Sequence, residues 1–206
     1  FSPFESIADG VDSGARVNSY YFWKVAESLF ADDEILVLGN SRVDTAKIQV
    51  GVRTNNQRTV ANYLCGSMGY DLPAAVGAAV ATDRRVICVT GDGSIMMNLQ
   101  ELQTISHNNL PVKVIVFSND GYEAIRQTHK NFFNGLLFGC DIHSGISFPD
   151  FSQIAGAFGF KYLTCKMNAD VATSLSELLS AKGPALLEVM QQIDNPVTPK
   201  LMSRMN

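Results

Sequence analysis

The chain has 206 residues, of which 46% are hydrophobic and 17% are charged, and its formal net charge at pH 7 is −4. This composition excludes a disordered chain and predicts a globular protein with a sizeable core. The net negative charge gives no reason to expect a nucleic-acid partner. The longest uninterrupted apolar stretch, residues 74–81, is too short to span a bilayer, so no membrane span is expected.

The first third of the chain predicts a tail, a helix and a buried strand. Residues 1–18 carry no hydrophobic periodicity and are expected to be a linker or tail before one domain at 19–206. A helix is predicted from Asn18 or Ser19 to about Phe30. Its apolar stripe is expected at Tyr21, Val25 and Leu29. A strand at 35–38 follows, ending at Gly39-Asn40-Ser41, and a polar loop is expected between it and Gly66.

The rest of the chain alternates predicted helices and strands. Pro73 opens an Ala- and Val-rich helix that is expected to reach about Thr82. The elements predicted after it are strand 86–90, helix 94–107, strand 112–118, helix 123–130, a loop at 131–148, helix 149–158, strand 161–163, helix 169–181 and strand 184–189. This alternation predicts an α/β domain, a three-layer, doubly wound parallel sheet with helices on both faces.

Two of the predicted strands end in oxygen-bearing residues. Strand 86–90 ends at Gly91-Asp92-Gly93-Ser94, and strand 112–118 ends at Asn119-Asp120-Gly121. The carboxyl ends of parallel strands form the ligand-binding edge of an open sheet. Carboxylate, amide and carbonyl oxygens suit a hard cation that also holds phosphates, and a helix opening at Ser94 offers N–H groups to a phosphate. The pattern therefore predicts a site for a metal-bound diphosphate.

Other ligand and catalytic motifs are absent from the sequence. Met96 stands where a dinucleotide fingerprint needs Gly or Ala, and there is no P-loop, nucleophile elbow or EF-hand. The cysteines and histidines show no metal-ligand spacing, and all three histidines are expected to be structural or surface residues. With no disulfide framework and no signal peptide, a cytoplasmic location is expected, and the missing initiating Met suggests a domain fragment.

The motifs resemble those of one enzyme superfamily. GDGS followed by an Asn-containing triplet is similar to the thiamine-diphosphate motif of the pyruvate decarboxylase and acetolactate synthase superfamily. The segment GDGSIMMNLQELQTISHNNLPVKV at 91–114 resembles acetolactate synthase most closely. GSMGYDLPAA at 66–75 resembles the segment that lies under the aminopyrimidine of the cofactor. The resemblance runs from about Tyr20 to Val189.

The resemblance implies a role for each matching residue. Asp92 and Asn119 would bind Mg²⁺ through side-chain oxygens, and Gly121 would bind it through its carbonyl. Gly93 and Ser94 would cradle the diphosphate of thiamine diphosphate. The implied cofactor contacts are Gly66, Ser67, Met68, Gly91, Asp92, Gly93, Ser94, Asn119, Gly121 and Tyr122.

Two of these residues carry the implied catalytic roles. Met68 would be the bulky apolar wedge that bends the cofactor into a V shape. The carbonyl of Gly66 would accept a hydrogen bond from the 4′-amino group of the pyrimidine.

The resemblance also implies an activity and partners. It implies a thiamine-diphosphate- and Mg-dependent enzyme that decarboxylates a 2-keto acid and transfers the resulting carbanion to a second carbonyl compound. In this superfamily an activating glutamate comes from a pyrimidine-binding module of another subunit, and this sequence has no such module. We therefore expect an incomplete catalyst from a homodimeric or homotetrameric parent enzyme.

Two departures from the family pattern limit the choice of substrate. Thr128 stands where typical acetolactate synthases carry Trp, which argues against branched-chain biosynthesis. Ile125 occupies the position of a catalytic Glu in classical pyruvate decarboxylases, and nearby Glu123 is expected to serve the helix dipole. Two alternatives stay open: a subunit of a split 2-keto-acid decarboxylase, and a non-catalytic binding module that retains the fold.

Overall fold

A computed structural model describes residues 11–40, 42–195 and 197 of the chain. The fold is built on six strands. The strands are β1 (Ile35–Leu38), β2 (Arg58–Ala61), β3 (Val86–Gly91), β4 (Val112–Ser118), β5 (Lys161–Cys165) and β6 (Ala185–Met190). They form one sheet in the order β2-β1-β3-β4-β6-β5, and every neighbouring pair is parallel.

Helices cover both faces of this sheet. They are α1 (Ser19–Leu29), α2 (Arg42–Val50), α3 (Asp71–Thr82), α4 (Asp92–Ile95), α5 (Glu101–His107), α6 (Glu123–Phe132), α7 (Phe151–Ala157) and α8 (Val171–Ser180), with a 3-10 turn at Asn168–Asp170. One core packs α1 and α8 against the sheet, and a second core packs α3, α5 and α7 against the opposite face. The predicted three-layer α/β fold is confirmed.

The central strands are buried at every position, which explains why their sequences are apolar runs. All six residues of β3 and all seven of β4 are buried, because helices cover both of their faces. On one face, the ring of Phe22 in α1 meets Phe117 of β4 edge to face, with 4.8 Å between centroids. This aromatic contact joins the first helix to the middle of the sheet.

The direction of winding reverses between β1 and β3. The chain passes from β1 through α2 outward to β2, then returns to β3 on the other side of β1 and continues to β4. Ligands of open α/β sheets bind at such a switch point, beyond the carboxyl ends of the strands. The motif at Gly91–Ser94 leaves the sheet at this point. No helix among the described residues is both long and apolar enough to cross a bilayer.

The prediction of a polar loop between residues 41 and 66 is wrong, because this segment contains α2 and β2. β2 has four residues, lies at the edge of the sheet, and has an exposed Arg58 followed by three half-buried residues. A short, half-exposed edge strand lacks the apolar run that marks the central strands. The sequence signal for β2 is therefore weak.

The prediction of a single helix over residues 94–107 is also wrong. The structure has α4, a turn at 96–100, and then α5. In the turn, the N–H groups of Met97 and Asn98 bond to the carbonyls three residues before them, and Asn98 Nδ2 donates to the carbonyl oxygen of Gly69 (2.6 Å). This contact with a distant segment interrupts the helix.

The other predicted elements are present, with ends displaced by a few residues. Helix α1 is capped by Asn18 as predicted, but its fully buried residues are Phe22, Trp23 and Ala26. The predicted stripe at Tyr21, Val25 and Leu29 is only partly buried, at the flank of that face.

The predicted domain boundary at residue 18 stays a prediction. Residues 1–10, like Ser41 at the predicted end of the first strand, lie outside the described residues. Within the described part of the predicted tail, Val17 is buried, and its N–H donates to the carbonyl of Met190 (2.9 Å).

We predict that Phe22→Ala lowers the free energy of unfolding by about 3–5 kcal/mol, because it removes a fully buried ring and leaves a cavity beside Phe117. Urea unfolding followed by circular dichroism measures the change. Ser28→Ala, at an exposed position of the same helix, is the control and is expected to alter stability by less than about 0.5 kcal/mol. Equal effects of the two substitutions would contradict the packing described above.

Candidate functional site

Asp92 is the first residue of α4, at the carboxyl end of β3. Its side chain is 4% exposed, and it accepts three backbone N–H groups. Oδ1 accepts from Gly93 (2.8 Å), and Oδ2 accepts from Asn119 (3.0 Å) and Gly121 (3.4 Å). One carboxylate therefore connects the chain segments that follow β3 and β4.

Burial raises the pKa of Asp92 to about 6, although the three N–H groups act to lower it. Among the described residues, no Lys or Arg forms an ion pair with this carboxylate. A buried carboxylate without a cationic partner is unfavourable by itself and is stabilised by a bound cation. Asp92 thus fits the role of a metal ligand.

Asn119 is held by a buried hydrogen-bond network at the end of β4. Its Nδ2 donates to Gln191 Oε1 (3.1 Å) and to Glu123 Oε2 (3.4 Å). Arg126 Nη2 donates to the backbone oxygen of Asn119 (3.0 Å) and to its Oδ1 (3.3 Å). The network fixes the orientation of the amide, so its oxygen and nitrogen have defined positions.

Asp92 and Asn119 would need further ligands to complete a metal site. The described residues contain no group of three or more His, Cys, Asp or Glu side chains arranged to hold a metal. Gly121 follows Asn119 closely and is tied to Asp92 through its N–H. A site here would therefore mix a carboxylate, an amide oxygen and backbone carbonyls, as hard cations accept.

Gly93 lies directly against two large side chains. A Cβ at Gly93 would overlap the ring carbon Cε1 of Tyr122 and would lie 3.2 Å from Cε of Met68. Tyr122 itself packs edge to face against Phe148, with 6.0 Å between centroids. Only glycine allows the backbone to pass at this distance. Met68, Gly93 and Tyr122 thereby form one continuous surface.

The segment 66–69 is joined to α4 and to the end of β1. The N–H of Gly69 donates to Ser94 Oγ (2.9 Å). The carbonyl of Gly66 accepts a hydrogen bond from Asn40 Nδ2, at the end of β1. The sequence motifs at 66–69, 91–94 and 119–121 therefore meet at the carboxyl edge of the sheet.

A cleft of about 330 Å³ opens at this edge. Of the ten cofactor-contact residues named from the sequence, nine line it: Gly66, Met68, Gly91, Asp92, Gly93, Ser94, Asn119, Gly121 and Tyr122. Ser67 does not line the cleft; it is exposed, and its Oγ accepts a hydrogen bond from Asn62 Nδ2 (3.2 Å).

Five residues that line the cleft are not among the cofactor contacts named from the sequence: Asn40, Thr45, Glu123, Ala124 and Ile125. The sequence analysis considered Glu123 only as a helix-dipole residue and Ile125 only as a departure from the decarboxylase pattern. Asn40 follows a strand just as Asp92 and Asn119 do, so the same strand-end pattern could have identified it. Glu123 is buried, and it contacts Asn119 Nδ2 and the N–H of Asn195 (3.0 Å) as well as lying in the first turn of α6. Its contacts depend on tertiary structure and leave no local sequence signal.

A larger cavity of about 550 Å³ lies on the other side of Asp92. Its carboxylates are already bonded to neighbouring groups. Glu188 accepts from Ser118 Oγ (2.6 Å) and from the hydroxyl of Tyr162 (2.6 Å). Asp141 accepts from Ser144 Oγ (2.7 Å). Asp92 lines both cavities, but only the smaller cleft brings it together with Gly93, Ser94 and Asn119, so the smaller cleft is the better candidate site.

Comparison with protein families agrees with this geometry. The model of the family described as "Thiamine pyrophosphate enzyme, C-terminal TPP binding domain" matches residues 38–189. The chain belongs to this family. The match covers the strands from the end of β1 to β6 and every segment that lines the cleft.

Similar proteins within the family are acetolactate synthases. The chain is 42% identical over 137 residues to the isozyme 1 large subunit of Escherichia coli (strain K12), and 37% identical over 138 residues to the isozyme 2 large subunit of the same organism. It is 39% identical over 124 residues to the acetolactate synthase large subunit of Porphyra purpurea. These matches cover 65%, 65% and 60% of this chain but only 24%, 25% and 21% of the relatives.

We predict that Gly93→Ala destabilises the protein by about 1–3 kcal/mol, because the new methyl group overlaps the Tyr122 ring. Gly77→Ala is the matched control, since a Cβ there has no neighbour within 4 Å and the position is helical. The control is expected to be neutral or to stabilise the protein by up to about 1 kcal/mol. Urea unfolding of both variants measures the difference, and equal stabilities would show that Gly93 is not sterically constrained.

The raised pKa of Asp92 predicts a pH dependence of stability in the metal-free protein. Ionising Asp92 is harder in the folded chain than in the unfolded one. The protonated side chain therefore contributes to the free energy of unfolding at low pH, and this contribution is lost as the pH rises from 3.8 to about 6. The loss is roughly 3 kcal/mol. Asp92→Asn removes this titration, so its free energy of unfolding should change less than that of the wild type between pH 4 and pH 7. Urea unfolding in EDTA tests this, and parallel pH profiles would contradict it.

Proposed function

We propose that the chain forms the thiamine-diphosphate-binding part of an acetolactate-synthase-like enzyme that decarboxylates a 2-keto acid and transfers the resulting carbanion to a second carbonyl compound. The observation that carries this proposal is the cleft in which the unpaired Asp92 carboxylate lies beside the tightly packed backbone of Gly93. When bound, thiamine diphosphate supplies the electron sink that a 2-keto acid needs to lose carbon dioxide and form a new carbon–carbon bond.

In this proposal Mg²⁺ would bind Oδ of Asp92, Oδ1 of Asn119 and the carbonyl oxygen of Gly121. Arg126 already donates to Asn119 Oδ1, at 3.3 Å. An amide oxygen has two lone pairs, so this long hydrogen bond leaves one for a cation. The network around Asn119 supports the proposal because it holds the amide oxygen in place before any metal binds.

The diphosphate would lie against Gly91, Gly93 and Ser94, at the start of α4. The lining of the cleft supports this, because Gly91, Gly93 and Ser94 all contribute to its wall. The backbone N–H of Gly93 already donates to Asp92 Oδ1, so the N–H of Ser94 is the more available donor.

The other end of the cofactor would contact Gly66, Met68 and Tyr122. Met68 and Tyr122 form an apolar wall beside Gly93 that would support the thiazolium ring and exclude water from it. The carbonyl of Gly66 would accept the 4′-amino group with the lone pair that Asn40 does not use. By orienting that amino group, Gly66 and Met68 would act as the catalytic residues of this chain. Ser67, at the rim, would contact the cofactor only from outside the cleft.

The complete active site would need partners in addition to this cleft. The proposal requires a pyrimidine-binding module carrying an activating glutamate, and a parent enzyme that is a homodimer or homotetramer. Supporting this, α6 and the loop after it expose four large apolar side chains: Phe132 (66%), Phe133 (59%), Leu136 (76%) and Phe138 (82%). An apolar surface of this kind is typical of a protein interface. The four unpaired cysteines support a reducing, cytoplasmic location.

We predict that the chain binds thiamine diphosphate in the presence of Mg²⁺ and that binding tightens when the pyrimidine-binding module of an acetolactate synthase is added. Asp92→Asn should weaken binding by about tenfold or more, because the only carboxylate ligand of the metal is lost. Isothermal titration calorimetry with and without EDTA measures both effects. Asp32→Asn is the control, since its carboxylate pairs with Arg53 at the surface (2.7 Å), and it should bind as the wild type does.

Two outcomes would count against the proposed function. The first is an absence of thiamine diphosphate binding even with the module present, which would favour a non-catalytic module that keeps the fold. The second is steady-state turnover of pyruvate by the isolated chain, because a chain without the activating glutamate should be catalytically incomplete.

A further inference from the structure

Asp71 is a fully buried carboxylate in the first turn of α3, and the cofactor contacts described above do not include it. Its Oδ2 accepts two hydroxyl groups, from Thr90 Oγ1 (2.7 Å) and from Ser94 Oγ (2.6 Å). Its Oδ1 accepts the N–H of Leu72 (2.9 Å). The positive end of the helix dipole of α3 also favours a negative charge at this position. The carboxylate is therefore well satisfied without a cation.

The end of β1 is shaped to admit this carboxylate. A Cβ at Gly39 would overlap Asp71 Oδ2 and would also lie 3.2 Å from the carbonyl oxygen of Val89. Glycine at the carboxyl end of β1 leaves the space that Asp71 Oδ2 fills. Asp71 thus lies where β1, β3, α3 and α4 meet.

The hydrogen bonds of Asp71 determine what the hydroxyl of Ser94 can do. A serine hydroxyl has one hydrogen to donate and two lone pairs with which to accept. Ser94 donates its hydrogen to Asp71 and accepts the N–H of Gly69 (2.9 Å). The hydroxyl hydrogen of Ser94 is therefore used within the protein. By fixing that hydrogen, Asp71 orients the lone pair of Ser94 Oγ that accepts the N–H of Gly69.

We propose that Asp71 is a positioning residue that ties the segment 66–69 to the start of α4 through Ser94. The inference rests on the proposed function, because both tied segments would contact thiamine diphosphate. It deepens that function in one respect. Ser94 offers the diphosphate its backbone N–H and not its hydroxyl, while its hydroxyl sets the distance between the Met68 segment and the diphosphate segment.

An amide at position 71 has the same shape as the carboxylate, but its single oxygen cannot accept both the two hydroxyl groups and the N–H of Leu72. In Asp71→Asn, an amide nitrogen at the position of Oδ2 would face two hydroxyl groups that now donate to that position. An amide nitrogen at the position of Oδ1 would face the N–H of Leu72, which is also a donor. Both orientations break at least one buried hydrogen bond.

We test the proposal with the pair Asp71→Asn and Ser94→Ala, combined in a double-mutant cycle. Two quantities are measured on the full chain: amide hydrogen exchange at Gly69, and the Kd for thiamine diphosphate with Mg²⁺. Each single variant should raise exchange at Gly69 and weaken cofactor binding by about tenfold. Because Asp71 acts through Ser94, the double variant should be no weaker than Ser94→Ala within about twofold.

Two controls separate this role from a general loss of stability. Thr90→Val also removes a hydroxyl that bonds to Asp71 Oδ2, but the hydroxyl of Thr90 bonds only to Asp71 and to the carbonyl of Gly91 among the described residues, so Gly69 should stay protected. Leu178→Ala destabilises the core on the opposite face of the sheet without reaching the site. It should lower global stability and leave the protection of Gly69 relative to its neighbours unchanged. If Asp71→Asn does not fold, amide exchange at Gly69 is compared between Ser94→Ala, which should raise it, and Thr90→Val, which should not.

Failure of the role of Asp71 can be told apart from failure of the proposed function. Additive effects of Asp71→Asn and Ser94→Ala, or Gly69 exchange no faster than in Leu178→Ala, would overturn the role of Asp71. The role of Asp71 would also be overturned if the wild type binds the cofactor and Asp71→Asn binds it with the same Kd. If the wild type binds no thiamine diphosphate, even with the pyrimidine-binding module, the proposed function fails, and the role of Asp71 in cofactor binding fails with it.

Discussion

The candidate site depends on the buried carboxylate of Asp92 and on the backbone N–H groups that surround it. Those groups come from Gly93 on one side and from Asn119 and Gly121 on the other, so the turns after β3 and β4 have one common partner. Desolvation makes the charge costly, and the cost is visible in the raised pKa. A cation at this place would offset that cost, which couples the geometry of both turns to ligand binding.

Buried polar networks on either side of Asp92 hold the rest of the cleft in place. On one side, Asp71 connects α3 and β3 to the first turn of α4. On the other, Gln191 accepts from Asn119 and donates to Ser19 Oγ (2.8 Å), which links the end of β4 to the first helix. Each buried polar group is costly unless its partners are present, so these networks permit few alternative arrangements. The chain therefore presents a preformed cleft, and under the proposed function the exposed apolar side chains at the end of α6 and in the loop after it would contact the partner module.

The parts of the fold that could be predicted are those with strong local signals. The apolar runs at 86–90 and 112–118 identified the two central strands, and the Pro-opened, Ala-rich segment identified α3. The edge strand β2 could not be predicted in this way because its four residues are half exposed and form no apolar run. The break between α4 and α5 could not be predicted because its cause lies elsewhere in the chain, where the carbonyl of Gly69 accepts the side chain of Asn98.

For the site, the sequence alone determined the residue types: a carboxylate and an amide at two strand ends, each close to glycines, in a pattern that resembles one cofactor family. Strand ends and glycines are local features, so a sequence can show them. Tertiary structure alone decided which groups are paired and which are unpaired. Only the folded chain shows that Asp92 has no cationic partner among the described residues, that Arg126 shares the oxygen of Asn119, and that the hydroxyl of Ser94 is committed to Asp71. These pairings join residues far apart in sequence, and they exist only because parallel strands bring their carboxyl ends to one edge of the sheet.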